Sequence, residues 1–210
     1  MAEASRARVA AVLLAAGSST RFSGGNKLLA EVAGRPLIAW TAAAFLASRA
    51  DQVIVVTGPE PHAIASALSG MPVRFVENPD HLSGMGGSIA VGVAALSGDS
   101  SGVLICPGDM PGVTAELIDR LIAVFEEKGC DRIVRPVLPD GRPGHPVLWP
   151  RRFFPRLAQL TGPEGGRVLL RELAGDIDLL PCGDPAAALD IDTAEDLERY
   201  RLAKRDLHDR

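Results

Sequence analysis

Aromatic residues and cysteines are scarce in this chain, and basic residues do not outnumber acidic ones. Each of these shortages argues against a class of protein. Aromatics make up 4% of the 210 residues, and 22 basic residues stand against 26 acidic ones, which gives a formal net charge of -4. Nucleic-acid-binding proteins usually carry a basic surface and aromatic rings on which bases stack. The composition therefore argues against a nucleic-acid partner and otherwise matches an ordinary globular domain.

The cysteines are few and far apart. Cys106, Cys130 and Cys182 form no CxxC motif and no cluster with histidine. Neither a zinc site nor a disulfide framework is indicated, and a reducing compartment fits best. We expect all three to be buried as small hydrophobic side chains.

Long apolar runs are also missing. The run over residues 9–16 ends at Gly17, too short for a membrane-spanning helix and too quickly broken for a signal peptide. The sequence therefore predicts a cytoplasmic protein with no membrane partner. One domain is expected over residues 1–210, with flexible ends at 1–8 and 204–210.

Apolar runs alternate with segments of helical period, which predicts a three-layer α/β/α fold around a largely parallel sheet. Strands are expected at residues 9–15, 52–56, 73–76 and 103–106, and helices at 36–47, 61–68, 88–96 and 114–128. After Gly129 a small β extension is expected, with strands at 133–138 and 145–149. Short helices at 153–160 and 167–173, a strand at 187–191 and a helix at 194–203 complete the prediction. Thr193 and Asp196 resemble a capping box for that last helix.

The strongest chemical signal follows the first strand. A loop of small residues there carries Arg21 and Lys27. Small residues let backbone N–H groups approach a phosphate, and the two cations can hold its charge. The alternative is a solvated loop whose charges face water. Neither the GxxxxGK[ST] loop nor a GxGxxG fingerprint after this strand is present, so the two common nucleotide motifs are excluded.

Five segments of the chain together resemble the MobA-like nucleotidyltransferases, and in particular the branch of molybdenum cofactor cytidylyltransferases. They are LAAGSSTRFSGGNK at 14–27, GMGGSI at 84–89, CPGDMP at 106–111, GHPV at 144–147 and DIDTAEDL at 190–197. The chain departs from the family pattern at Pro143 and Pro163, next to the expected acceptor pocket. The resemblance implies a Rossmann-like nucleotidyltransferase fold and Mg²⁺-dependent transfer of CMP from CTP to the phosphate of a pyranopterin cofactor, with release of pyrophosphate.

The resemblance also implies roles for individual residues. Lys27 is expected at the α-phosphate and Arg21 at the leaving pyrophosphate, while the backbone of residues 17–20 cradles the triphosphate. Asp109 is the expected metal ligand, although a turn aspartate could instead bond to backbone N–H groups. Asp190 or Asp192 could supply a second ligand, or Asp192 could cap the last helix. The nucleotide-binding residues are then Leu14, Ala15, Ala16, Gly17, Ser18, Ser19, Asn78, Gly84 and Ser88, and His145 is expected to contact the acceptor.

The nucleotide preference follows from the residue at position 16. In the resembling families LAAG accompanies CTP and LAGG accompanies GTP, so Ala16 favours CTP. Three alternatives stay open at this point: guanylyl transfer to the same cofactor, cytidylyl transfer to a sugar or alcohol phosphate, and a non-catalytic cofactor carrier or insertion chaperone. A molybdenum hydroxylase or its chaperone would be the protein partner.

Overall fold

The computed structural model describes residues 6–17, 22, 25–183 and 191–208, with side chains up to residue 202. Nine strands are described: β1 (Val9–Ala15), β2 (Glu31–Val32), β3 (Arg35–Pro36), β4 (Gln52–Thr57), β5 (Arg74–Glu77), β6 (Gly102–Pro107), β7 (Ile133–Val137), β8 (Val147–Pro150) and β9 (Ile177–Pro181). The α-helices in the same residues are α1 (Leu37–Leu46), α2 (Pro61–Ala67), α3 (Met85–Ala94), α4 (Ala115–Glu127), α5 (Phe154–Leu157), α6 (Arg167–Glu172) and α7 (Ala194–His208). None of these helices is long and apolar enough to cross a membrane.

Seven of the described strands form one sheet in the order β5-β4-β1-β6-β8-β7-β9, and β2 pairs with β3 in a separate hairpin. The pairs β5–β4, β4–β1, β1–β6 and β7–β9 are parallel, whereas β8 runs antiparallel to both β6 and β7. The predicted largely parallel sheet is therefore confirmed. The extension after Gly129 continues the same sheet rather than forming a second one.

Alternation along β1 builds the two halves of the core. Leu13 packs toward the layer of α1, α2 and α4, while its neighbour Val12 packs toward the layer of α3, α5 and α6. Successive side chains of a strand point to opposite faces, so a fully apolar strand must be covered on both sides. This produces the expected three layers.

Three predictions about local structure are wrong. Helix α3 begins at Met85 with Gly84 as its N-cap, so Ser88 lies inside the helix and not at its start. Strand β9 was not expected, because it is a short edge strand paired on one side only, and Asp178 and Pro181 interrupt its apolar run. Cys106 and Cys182 are buried as expected, but Cys130 is half-buried in a left-handed turn after α4. The strand predicted at 187–191 lies, apart from Ile191, outside the described residues.

Helix α7 is fixed to the loop after β6. The Tyr200 hydroxyl donates to the carbonyl of Pro111 at 2.8 Å, and burial raises the pKa of Tyr200 to about 12, so it stays a donor. The N–H of Ile191 donates to the carbonyl of Asp109 at 3.2 Å. The predicted capping box is confirmed, since Thr193 N–H donates to Asp196 Oδ2 at 3.0 Å and Asp196 N–H donates to Thr193 Oγ1 at 3.1 Å. The start of α7 is thereby held beside Asp109.

We expect Thr193→Ala to lower the free energy of unfolding by about 1 kcal/mol, the usual value of an N-cap side chain. The Thr193 hydrogen bond is also the main reason why the pKa of Asp196 is lowered. This part of the stability is present above the ordinary pKa of the carboxyl and is lost as the pH falls through the lowered one. Urea unfolding of the variant and of Thr161→Ala, an exposed control, measures the effect. If the difference in the free energy of unfolding between Thr193→Ala and wild type stays the same in acid, this account is wrong.

Candidate active site

A cleft with a volume of about 1060 Å³ lies at the carboxyl ends of β1 and β6. From β1 the sheet is extended first on one side, by β4, and later on the other side, by β6. Ligands of open α/β sheets bind at the point where the strand order reverses in this way. Leu14, Ala16 and Gly17 line the cleft from the end of β1, and Asp109 lines it from the end of β6.

Lys27 holds the two described carboxylates of the predicted site together. Its Nζ donates to Asp192 Oδ1 at 2.7 Å and forms an ion pair with Asp109 Oδ2. Lys27 opens a one-turn 3₁₀ helix that Asn26 caps by accepting the N–H of Leu28 at 3.1 Å. Burial alone would lower the pKa of Lys27, but the charges and hydrogen bonds of the two aspartates outweigh it and raise the pKa. The ammonium group is therefore held charged inside the cleft.

Asp109 has one carboxylate oxygen still available for a cation. The residue is only 8% exposed, and its Oδ1 is buried without a hydrogen-bond partner among the described residues. The backbone that carries it is fixed, because Gly108 N–H donates to Leu14 O at 2.9 Å and Thr41 Oγ1 donates to Gly108 O at 3.0 Å. Leaving a buried polar atom unpaired costs about 1–3 kcal/mol, so this oxygen is well placed to accept a hydrogen bond or bind a cation.

This arrangement fits Mg²⁺. Magnesium is usually held by one or two carboxylates together with phosphate oxygens of the substrate, not by an all-protein cage. The part of the chain that the structure describes contains no group of three or more His, Cys, Asp or Glu side chains suited to a metal. The pair of Asp109 and Asp192 matches the smaller number that Mg²⁺ takes from protein when a nucleotide supplies the rest.

The structure brings most of the described nucleotide-binding candidates to the cleft. Gly84 and Ser88 line it, whereas Ala15 faces the core. Asn78 is 2% exposed and lies behind the wall, where its Nδ2 donates to Ser88 Oγ at 3.0 Å and its Oδ1 accepts Asp80 N–H at 3.1 Å. Asn78 therefore positions the Ser88 side chain through a buried hydrogen bond and does not line the cleft itself. The other candidates, Arg21, Ser18, Ser19 and Asp190, lie outside the described residues.

The glycines of the GMGG segment have a packing role. Gly86 N–H donates to Gly162 O at 2.9 Å, and a Cβ at position 86 would lie 2.4 Å from the carbonyl oxygen of Thr161. At Gly84, where φ is +110°, a Cβ would lie 2.5 Å from the carbonyl carbon of Gly162. Only glycine permits this approach. The loop at 161–165 thereby closes one wall of the cleft, to which Pro163 and Glu164 belong.

The far end of the cleft is rich in cations. His145 lines it, together with four arginines that were not among the predicted site residues: Arg135, Arg142, Arg167 and Arg171. A signal for Arg135 was available, because it is a lone charged residue inside an otherwise apolar strand. Without the topology, nothing indicated that β7 reaches the same cleft as β1.

Comparison with known proteins gives consistent matches. The model of the MobA-like NTP transferase domain matches residues 11–177. The chain is 31% identical over 205 residues to nicotine blue oxidoreductase of Paenarthrobacter nicotinovorans, covering 92% of this chain and 96% of that protein. It is 41% identical over 119 residues to the bifunctional protein GlmU of Halorhodospira halophila, which covers 56% of this chain but only 25% of GlmU.

Solved structures extend the match to the whole fold. Rv0371c from Mycobacterium tuberculosis superimposes with a TM-score of 0.81 at 25% identity, covering 94% of this chain and 99% of that one. The same mycobacterial protein has been solved as a complex with manganese, which superimposes with a TM-score of 0.78 over 91% of this chain and 97% of that one, at 26% identity.

Proposed function

The chain belongs to the MobA-like NTP transferase family, and from this membership we propose that it transfers CMP from CTP to the phosphate of a molybdenum-containing pyranopterin cofactor, with release of pyrophosphate. The family is one of nucleotidyltransferases, which are enzymes. The observation that carries the proposal is the contact of Lys27 with both Asp109 and Asp192 at the ends of β1 and β6. A cation for phosphates and carboxylates for a metal are the two requirements of nucleotidyl transfer.

The proposed reaction needs no proton transfer by a protein side chain. The acceptor phosphate is already an anion, so it can attack the α-phosphorus without a general base, and the bond to pyrophosphate breaks. Catalysis is then mainly positioning and stabilisation of charge. The ammonium of Lys27 would turn from the aspartates to the α-phosphate, where negative charge grows during the reaction. Arg21 and the backbone of residues 17–20 are proposed to hold the leaving pyrophosphate.

Mg²⁺ is the proposed metal, held by Asp109 and Asp192 with phosphate oxygens as the remaining ligands. When bound, it would supply positive charge to the triphosphate. The unpartnered Oδ1 of Asp109 supports this assignment, and the manganese complex of Rv0371c supports a divalent cation in a related protein. Asp190 stays an alternative second ligand.

The preference for CTP depends on Ala16. Ala16 lines the cleft and is 5% exposed, and it lies so close to Gly58 that a Cβ there would lie 2.7 Å from Ala16 O and 3.0 Å from Ala16 Cβ. The strand end therefore has little room to retreat from a larger base. A contact of one methyl group changes discrimination by about 10–200-fold.

We expect Ala16→Gly to shift the ratio of kcat/KM for CTP over GTP toward GTP, by at most about 200-fold. A complete switch is not expected, because hydrogen-bonding partners for guanine would still be lacking. Ala15→Gly is the matched control, since it frees the adjacent backbone but removes a methyl group that faces the core. An equal shift in both variants would show that backbone freedom, not the Ala16 methyl, sets the ratio.

The proposed function is tested by the release of pyrophosphate when the protein is mixed with CTP, Mg²⁺ and the molybdenum cofactor. Release that depends on all three supports the transfer reaction. Binding of the cofactor without release would instead support the carrier or insertion chaperone. GTP, and sugar or alcohol phosphates as acceptors, are the comparison substrates for the related transferase activities.

A second candidate is an oxidoreductase, because a relative that spans nearly the whole chain is named nicotine blue oxidoreductase. A redox reaction needs an electron donor, and a reduced nicotinamide nucleotide is the donor used in the test. The assay follows the absorbance of the reduced nicotinamide in the presence of an oxidised dye. Oxidation of the nicotinamide by the protein, with no pyrophosphate released from CTP, would favour this candidate over the transferase.

A further inference from the structure

We propose that Arg135 and Arg167 form a second anion-binding site at the far end of the cleft, which holds an oxyanionic group of the acceptor other than the phosphate that reacts. The assignment of this group to the acceptor rests on the proposed transfer reaction. It implies an acceptor that carries at least one anionic group besides the phosphate that reacts.

The two arginines carry charge that the described protein does not neutralise. Arg135 is half-buried in β7, where its Nη2 donates to Gly144 O at 3.2 Å and its Nε is buried without a hydrogen-bond partner. Neither Arg135 nor Arg167 forms an ion pair with a carboxylate of the described residues. The pKa of Arg135 is lowered, first by burial and then by the nearby charge of Arg167. Two cations that repel each other in a cleft are stabilised by an anion between them.

The other two arginines of the cleft, unlike Arg135 and Arg167, each form an ion pair with a carboxylate. Arg142 pairs with Asp140 at 2.7 Å, and Arg171 pairs with Glu164. Arg171 lies one turn after Arg167 on α6 and lines the same cleft. The absence of a carboxylate is therefore specific to Arg135 and Arg167 among these four.

The position of the pair separates it from the nucleotide phosphates. In the sheet order, β8 lies between β6 and β7, so β7 is about 10 Å from β6 at the usual strand spacing. Asp109 and Lys27 lie at the β6 end, where the transfer is proposed to occur. A group held by Arg135 is therefore at the acceptor side of the cleft. The planar fork of a guanidinium suits two oxygens of a phosphate, carboxylate or similar oxyanion.

The test is a calorimetric titration of inorganic phosphate, at constant ionic strength, into wild type, Arg135→Gln, Arg167→Gln and Arg171→Gln. The nucleotide end is filled with Mg²⁺ and the α,β-methylene analogue of CTP, which cannot transfer CMP. We expect saturable phosphate binding that weakens about tenfold or more in Arg135→Gln and Arg167→Gln. Arg171→Gln should stay close to wild type, because its charge is already neutralised. Affinity for the CTP analogue should not change in any variant.

Several results would overturn the proposal. The first is a phosphate affinity that is the same in wild type, Arg135→Gln and Arg167→Gln. The second is a loss of phosphate affinity in Arg171→Gln as large as in the other two variants. The third is the absence of saturable phosphate binding by wild type in the millimolar range. A loss of CTP-analogue affinity in Arg135→Gln or Arg167→Gln would assign the pair to the nucleotide instead. Arg167 is exposed, so its variant keeps the test valid if Arg135→Gln does not fold. If the CTP analogue does not bind wild type, the proposed function fails, while phosphate binding can still be compared among the variants.

Discussion

Replacing Asp109 with asparagine is expected to abolish nucleotidyl transfer, with a loss of about 10³-fold or more in kcat/KM. The carboxylate is the most buried charged group of the described cleft, and its Oδ1 has no hydrogen-bond partner there. Asparagine keeps the shape but removes the negative charge that a divalent cation needs. Without that charge, the triphosphate is poorly neutralised and the pyrophosphate leaves slowly.

The fold should tolerate this change. Asparagine is isosteric with aspartate, and Lys27 keeps Asp192 as a partner, so no buried cation is left alone. Removing a buried carboxylate also removes its desolvation cost. We therefore expect a thermal unfolding midpoint close to that of wild type.

Asp178→Asn is the matched control for Asp109→Asn. Asp178 is also partly buried and pairs with an arginine, Arg132, at 2.9 Å, but it is not among the residues that line the cleft. The control should keep its activity while it loses an ion pair. Turnover of Asp109→Asn close to wild type at limiting Mg²⁺ would remove Asp109 from the reaction.

The sequence predicted the elements that position the site better than those at its edges. Strand β1 was predicted with its observed bounds, because a short run of apolar residues that ends at a glycine is typical in length and composition of a strand buried on both faces. The start of α3 was missed, since the glycines of its first turn suggested a loop. Glycines are needed at positions 84 and 86 because the backbone of residues 161–163 packs closely against them, and no local sequence pattern reveals this contact.

The site itself was only partly predictable. The sequence marked Lys27, Asp109 and Asp192 separately, but the contact between Lys27 and Asp192 joins residues 165 positions apart. Such a pairing depends on how α7 docks against the loop after β6, through Tyr200 and Ile191. The arginines at the far end of the cleft were missed for the same reason, because β7 enters the sheet two places from β6.

We expect Lys27→Ala to lower the rate of transfer by about 10²–10³-fold while weakening CTP binding much less. Negative charge on the α-phosphate increases as the new bond forms, so the ammonium stabilises the transition state more than the bound substrate. In the described structure this ammonium is instead held by Asp109 and Asp192. Part of its binding energy for the nucleotide is therefore offset by the ion pairs that it must leave, which makes the effect on CTP binding smaller still.

Removing Lys27 also leaves the two carboxylates without their shared cation. We therefore expect Mn²⁺ or Mg²⁺, added without nucleotide, to raise the unfolding temperature of Lys27→Ala more than that of wild type. Lys128→Ala, at the exposed end of α4, is the control for loss of a lysine outside the cleft. Steady-state kinetics separates the two roles of Lys27: a change confined to KM would make it a ground-state binder and would contradict its assignment to the transition state. Because the metal-dependent shift is measured without turnover, it tests the pairing of Lys27 with Asp109 and Asp192 even if the reaction is a different one.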